Sequence, residues 1–202
     1  MKKILTCVVV LLMMALLTGC GANVQTKTAK ATTASGKAHK VLIAYYSHSV
    51  TTEAAAKEMQ KQLGADIYRI QTNLTYPKNA PGTLNQVKQE YVAQIRPELK
   101  NKVKDFAQYD SVILGFPNWF DDPPMGVFSF LEQEDWQGKT IYPFVTYGLG
   151  GFGSSLEDIQ KSVGNAALGK GLMLHASIAR KADKQIAGWL KDIGLTIPRE
   201  EK

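Results

Sequence analysis

From Val41 onward the chain predicts an α/β domain: a doubly wound, five-stranded parallel sheet in three layers. Short apolar runs alternate with stretches of helical periodicity, which is the pattern of repeated βα units. Three of the runs, Val41–Tyr46, Ser111–Phe116 and Ile141–Thr146, are almost continuously apolar, as strands buried on both faces must be. Each connection is long enough to carry a helix, so right-handed crossovers place helices on both sides of the sheet. Residues 41–202 suffice for one domain with its own core.

The elements follow in order. Strand candidates are Val41–Tyr46, Asp66–Ile70, Ser111–Phe116, Ile141–Thr146 and Leu172–Ala176. Helix candidates are Glu53–Leu63, Leu84–Ile95, Met125–Glu132, Ser155–Val163 and Ala182–Ile193, each with apolar residues recurring at three- and four-residue spacing. Gln71–Asp110 is long for one connection, so a helix and a loop crossing the surface are expected within it. Trp136 and Trp189 read as packing residues, and His175, at the end of the last strand, as structural.

Residues ahead of the domain concern delivery. Lys2 and Lys3 precede a largely apolar run, Ile4–Leu17. That run is too short for a bilayer span of about 20 residues but suits a secretory leader. Leu17-Thr18-Gly19-Cys20 follows directly and resembles the lipobox of bacterial lipoproteins. Residues 1–19 are therefore expected to be a signal peptide and Cys20 a lipidated N-terminus, holding the protein on the extracytoplasmic face of the cell membrane. Cys7 is the other cysteine, so the mature domain is left without a free thiol, a disulfide or Cys-bound zinc. Residues 21–40, rich in Ala, Thr, Lys and Gly, read as a flexible tether with a root-mean-square span of about 25 Å.

Formal net charge is +6, but residues 1–40 hold six Lys and no Asp or Glu, while residues 41–202 carry 18 basic and 18 acidic residues. The excess belongs beside anionic headgroups. A neutral folded domain offers no nucleic-acid footprint.

In such a sheet ligands bind beyond the carboxyl ends of the strands, where strand order reverses. Three loops meet that description. After strand one come Ser47-His48-Ser49-Val50-Thr51-Thr52 and a helix. Unpaired helix amides, the helix dipole and several hydroxyls make a phosphate cradle there, held by neutral donors because the turn has no Lys or Arg. An ordinary βα turn with a cluster of capping residues is the plain alternative. The loop after strand three, Gly115-Phe116-Pro117-Asn118-Trp119-Phe120-Asp121-Asp122-Pro123-Pro124, offers Trp119 and Phe120 on a proline-stiffened turn. The loop after strand four, Thr146-Tyr147-Gly148-Leu149-Gly150-Gly151-Phe152-Gly153, offers Tyr147 followed by glycines that admit a flat ligand close to the backbone.

At Tyr45-Tyr46-Ser47-His48-Ser49, Arg96-Pro97-Glu98, Tyr109-Asp110, Gly115-Phe116-Pro117-Asn118-Trp119 and Gly138-Lys139-Thr140 through Pro143-Phe144-Val145-Thr146, the chain resembles the flavodoxin-like FMN-binding family. The resemblance spans essentially all of Val41–Lys202. It implies strand order 2-1-3-4-5 and FMN as cofactor. Ser47, Ser49 and Thr52 then contact the phosphate, and His48, Val50 and Thr51 of the same loop are further cofactor-binding candidates, His48 either adding charge beside the phosphate or facing solvent. Pro117, Asn118, Trp119, Phe120, Thr146, Tyr147, Gly148, Gly150, Gly151 and Gly153 border the ribityl chain and ring. One departure stands out: the family's first loop has Gly where this chain has Val50, and a β-branched residue tolerates positive φ poorly.

The expected function is electron transfer by a membrane-tethered FMN protein, with quinones or other small acceptors as substrates if it is an enzyme. Neither the redox donor nor the acceptor is named by the sequence. Trp119 and Tyr147 are expected to flank the ring, with a backbone carbonyl of one of the two loops turned toward it and a peptide rotation made cheap by the Gly148–Gly151 run. The rival expectation is a flavin-free lipoprotein that binds another planar or phosphorylated ligand.

Overall fold

The computed structural model describes residues 39–77 and 80–196. The leader, Cys20 and the tether through residue 38 lie outside the described residues. The order is β1 (Val41–Tyr45), α1 (Val50–Leu63), β2 (Asp66–Arg69), α2 (Ala80–Val92), β3 (Ser111–Pro117), α3 (Met125–Gln133), β4 (Thr140–Tyr147), α4 (Ser155–Val163), β5 (Ala167–Leu168), β6 (Leu172–His175) and α5 (Asp183–Asp192). The strands are parallel and run β2-β1-β3-β4, the order expected, with β5 and β6 both on the far edge of β4.

The fifth position is thus shared by two short segments. Gly169 N–H donates to the Ile141 carbonyl and Ala176 N–H to that of Tyr147. Odd-numbered residues of β4 therefore face the fifth strand. Pro143 is one of them and has no N–H to give. Between the two segments, the Lys170 carbonyl accepts instead from Trp189 Nε1 at 3.0 Å.

Alternation along each strand builds two cores. Ile43, Tyr45, Ile113, Phe144 and Leu174 face α1 and α5, meeting Ala55, Ala56, Met59, Ile186 and Trp189. Leu42, Ala44, Val112, Leu114, Phe116 and Val145 face α3 and α4, meeting Val127, Phe130, Trp136 and Ile159. Trp136 is buried with Nε1 on the Leu131 carbonyl at 2.7 Å. Among the described residues, no helix is long and apolar enough to cross a membrane.

Two long segments are pinned by side chains. Arg96 pairs with Glu132 at 2.7 Å and lies over the Phe128 ring, while Glu98 accepts from Asn73 Nδ2 at 2.7 Å. This gives the Arg96-Pro97-Glu98 segment its role: it ties the long β2–β3 connection to α3. His39 Nε2 lies 2.8 Å from Ser111 Oγ, and Lys40 N–H donates to Asp110 at 2.9 Å. These two residues, assigned above to the tether, are thus hydrogen-bonded at the amino ends of the strands.

Candidate functional site

Ser49 is the N-cap of α1, with extended backbone (φ −102°) and a side chain that accepts from Thr51 N–H at 3.4 Å. That cap starts the helix three residues before the expected Glu53. It overrides the poor helix propensity of Val50, Thr51 and Thr52. Val50 is the first helical residue, is not among the positive-φ residues, and has an exposed side chain. The missing glycine therefore leaves the turn unstrained, and Val50 does not fill it.

Behind the cap, Ser47 Oγ donates to the Ser49 carbonyl and accepts from Glu53 N–H at 3.3 Å. Thr52 and Thr146 are buried, with their hydroxyls 2.7 Å apart. These two hydroxyls join α1 to β4 instead of facing the turn, so Thr52 offers the turn its amide. The Ser49 hydroxyl donates to Thr51 Oγ1 at 3.2 Å, so the donors left for a ligand are the amides of Val50 and Thr52 and the Thr51 hydroxyl.

The cradle also has a cation that the sequence did not place there. Arg69 donates to the Ser47 carbonyl at 3.2 Å and pairs with Glu53 at 3.3 Å. Lys57 pairs with Glu53 from the other side at 2.6 Å and, by its hydrogen bond, holds that carboxyl below the usual range. Glu53 is thus charged but compensated. A doubly charged group fits this turn: it meets a helix N-terminus, hydroxyls and a guanidinium, with no uncompensated carboxylate. Strand register could have revealed Arg69, because Tyr45 and Arg69 are partners at the ends of β1 and β2.

Asn118 binds the other two loops together. Its amide nitrogen donates to the Gly151 carbonyl at 2.8 Å and its oxygen accepts from Asp121 N–H at 2.9 Å. Trp119 and Asp122 exchange backbone hydrogen bonds at 2.9 and 3.1 Å. Phe120 and Asp121 carry the turn with φ of 53° and 65°. Ser154 N–H donates to the Asp121 carbonyl at 2.8 Å.

The Trp119 ring meets Tyr46, His48 and Tyr76 edge-on, at 5.7, 5.8 and 5.3 Å. Tyr76 donates to the buried Glu90 at 2.8 Å. Burial pushes the Tyr46 hydroxyl up to about 12 and that of Tyr76 upward as well. Tyr76 and Glu90 belong to the long β2–β3 connection, where no local pattern marks them. His48, exposed, packs on this aromatic group.

Tyr147 packs edge-on against His175 at 5.4 Å. Beyond it every carbonyl from Gly148 to Gly151 accepts a hydrogen bond: from His175, Asn118, Gly153 N–H and Asn118 in turn. The glycines permit a peptide rotation here, and it costs about one hydrogen bond, roughly 1 kcal/mol.

Asp122 lies between the β3 loop and α4, with Oδ1 buried and unpartnered among the described residues. Burial, and then the Asp158 carboxylate, push its carboxyl from 3.8 up to about 7. The folded state holds this proton more tightly than the unfolded chain does. The stability it contributes is therefore complete below pH 3.8 and is lost as pH rises through about 7. Urea denaturation should show a midpoint that falls between pH 5 and pH 8, and Asp122→Asn should flatten that slope.

A cavity of about 560 Å³ opens at the opposite pole, among His39, Asp66, Tyr142 and Leu195. The carboxyl ends of α1 and α5, at Gly64 and Gly194, face it, and their carbonyl dipoles disfavour an anion.

Fold and loops together define a doubly wound α/β protein of the flavodoxin-like kind, with three βα loops gathered at the carboxyl edge of its sheet. The flavodoxin profile matches residues 40–193, and the chain belongs to that family. A crystal structure from Bacteroides eggerthii, of a protein assigned as a flavoprotein, is 29% identical with a TM-score of 0.69, covering 78% of this chain and 99% of that one. A second, from Bacteroides uniformis and assigned likewise, is 28% identical with a TM-score of 0.68, covering 77% and 99%. The flavoprotein from Lactobacillus acidophilus, solved in complex with FMN, shares the fold at 20% identity and a TM-score of 0.59, covering 71% and 98%. A comparison with curated proteins gives no match.

Proposed function

We propose that this protein binds FMN between the three loops and transfers electrons, held by a lipidated Cys20 on the extracytoplasmic face of the membrane. The observation that carries the reading is the Ser49-capped start of α1, with Arg69 at its back, beside two loops that Asn118 fastens into one wall. FMN supplies the redox chemistry when bound. The amides of Val50 and Thr52 and the Thr51 hydroxyl receive its phosphate. Trp119 and Tyr147 take the ring faces. Exposed Phe120 and Leu149 line the rim, where a small apolar acceptor such as a quinone, or a redox partner, would approach.

Purified protein should be yellow, or should quench FMN fluorescence on titration at micromolar concentration. Absence of both would leave a flavin-free ligand-binding protein. Trp119→Ala should weaken FMN and riboflavin alike by about two- to tenfold, because ring stacking contributes about 0.5–1.5 kcal/mol beyond buried area, and should move the midpoint potential. Unchanged affinity and potential would remove Trp119 from the ring. Lipidation is checked separately: Cys20→Ser should release the protein from the membrane fraction.

A further inference from the structure

We propose that His175 is a positioning residue for the ring-side loop, setting both the Tyr147 ring and the peptide that follows it; this rests on the flavin reading above. His175 is the last residue of β6 and the register partner of Tyr147, the last residue of β4. Its ring stands edge-on to that of Tyr147, with an interplanar angle of 87°. Ser177 N–H donates to His175 Nδ1 at 3.3 Å, and the Ser177 hydroxyl lies 2.7 Å from the same nitrogen. Nδ1 is therefore the accepting nitrogen, and the proton of the neutral ring sits on Nε2. Nε2 donates it to the Gly148 carbonyl at 3.2 Å.

Little else holds that peptide. A Cβ at Gly148 would meet nothing within 4 Å, and the Leu149 side chain is 89% exposed. Among the described residues, side-chain hydrogen bonds to the Gly148–Gly151 carbonyls come from His175 on one side and Asn118 on the other. A trans peptide sets its C=O and N–H in opposite directions. With the Gly148 carbonyl turned to His175, the Leu149 N–H is turned away from β6, as a donor available to the ligand side. His175 thus selects which end of this peptide the mouth presents.

The test compares the wild-type chain with His175→Ala and with His175→Gln, whose amide nitrogen can replace the Nε2 donor. Affinities for FMN and riboflavin, the midpoint potential and the His175 imidazole nitrogen shifts of the flavin-free wild type are measured. His175→Ala should lose about tenfold for both flavins, the scale of one hydrogen bond, and shift the potential; His175→Gln should recover most of both. Unchanged affinities and potential would overturn the proposal, as would a loss confined to FMN, which would place the effect on the phosphate. A loss that His175→Gln fails to restore, with a lowered Tm, would leave His175 a purely structural residue and also overturn it. If the wild-type protein takes neither flavin, the flavin reading falls on its own. The imidazole nitrogen shifts of His175 then decide the contact: a ring protonated on Nε2 supports it, and a ring protonated on Nδ1 overturns it.

Discussion

Calorimetric titration should give FMN an affinity at least about a hundredfold above that of riboflavin. The two flavins share a ring and differ by the phosphate, so the difference isolates the first loop. Charge-assisted hydrogen bonds contribute about 1.5–3 kcal/mol each. Two of them, at the lower bound, already give about 3 kcal/mol, or roughly a hundredfold. The start of α1 offers more than two donors, and the guanidinium behind Ser47 adds favourable charge. Arg69→Gln should narrow the gap between the flavins while leaving riboflavin unchanged, because Arg69 stands behind the first loop and touches neither of the others. Equal affinities for FMN and riboflavin would reduce the first loop to a helix cap.

The largest stability effect is expected at Gly153. Its φ is 52°, and a Cβ there would lie 2.3 Å from the Asp121 carbonyl oxygen and 2.6 Å from Asp121 Cα. The obstacle is backbone, which cannot swing aside as a flexible side chain can. The left-handed conformation costs a residue with a Cβ about 1–2 kcal/mol, and overpacking adds about 1–3 kcal/mol. Gly153→Ala should therefore lower stability by about 3 kcal/mol in denaturant titration. It should also part the β3 loop from the β4 loop, so that both flavins are lost together. A Gly153→Ala protein as stable as wild type would show that the two loops are not in contact in solution.

Much of this architecture was legible from residues 41–202 because parallel strands advertise themselves. Ser111–Phe116 and Ile141–Thr146 are almost continuously apolar, and the structure extends each by only one or two residues. α4 falls on the expected Ser155–Val163. The split fifth strand was readable in principle: Pro143 sits within a run otherwise suited to a central strand, and its missing N–H demands a gap on one side. β5 itself, two residues long, is below what periodicity can register. Ser49 and Val50 show the opposite case, where a cap sets the helix start against local propensity.

The three loops could be found because βα turns carry their own composition. What the sequence concealed were side chains that arrive from elsewhere. Arg69 comes from the neighbouring strand, Tyr76 and Glu90 from the long connection, and His175 from the strand after next. Each reaches the mouth only through tertiary placement, and none lies in a motif. The roles of Thr52 and Thr146 were hidden for the same reason. A hydroxyl on either residue is equally ready to meet a ligand or a partner strand, and the fold pairs the two with each other.

The polarity of the sheet has a practical consequence. His39 and Lys40 are fastened to Asp110 and Ser111 at the start of β3, and the mouth opens past its far end, about 20 Å away at roughly 3.3 Å per residue. His39 is half-exposed. A His39→Cys protein bonded to a gold electrode would therefore stand with its three loops toward the solution, leaving them clear for a freely diffusing acceptor during voltammetry.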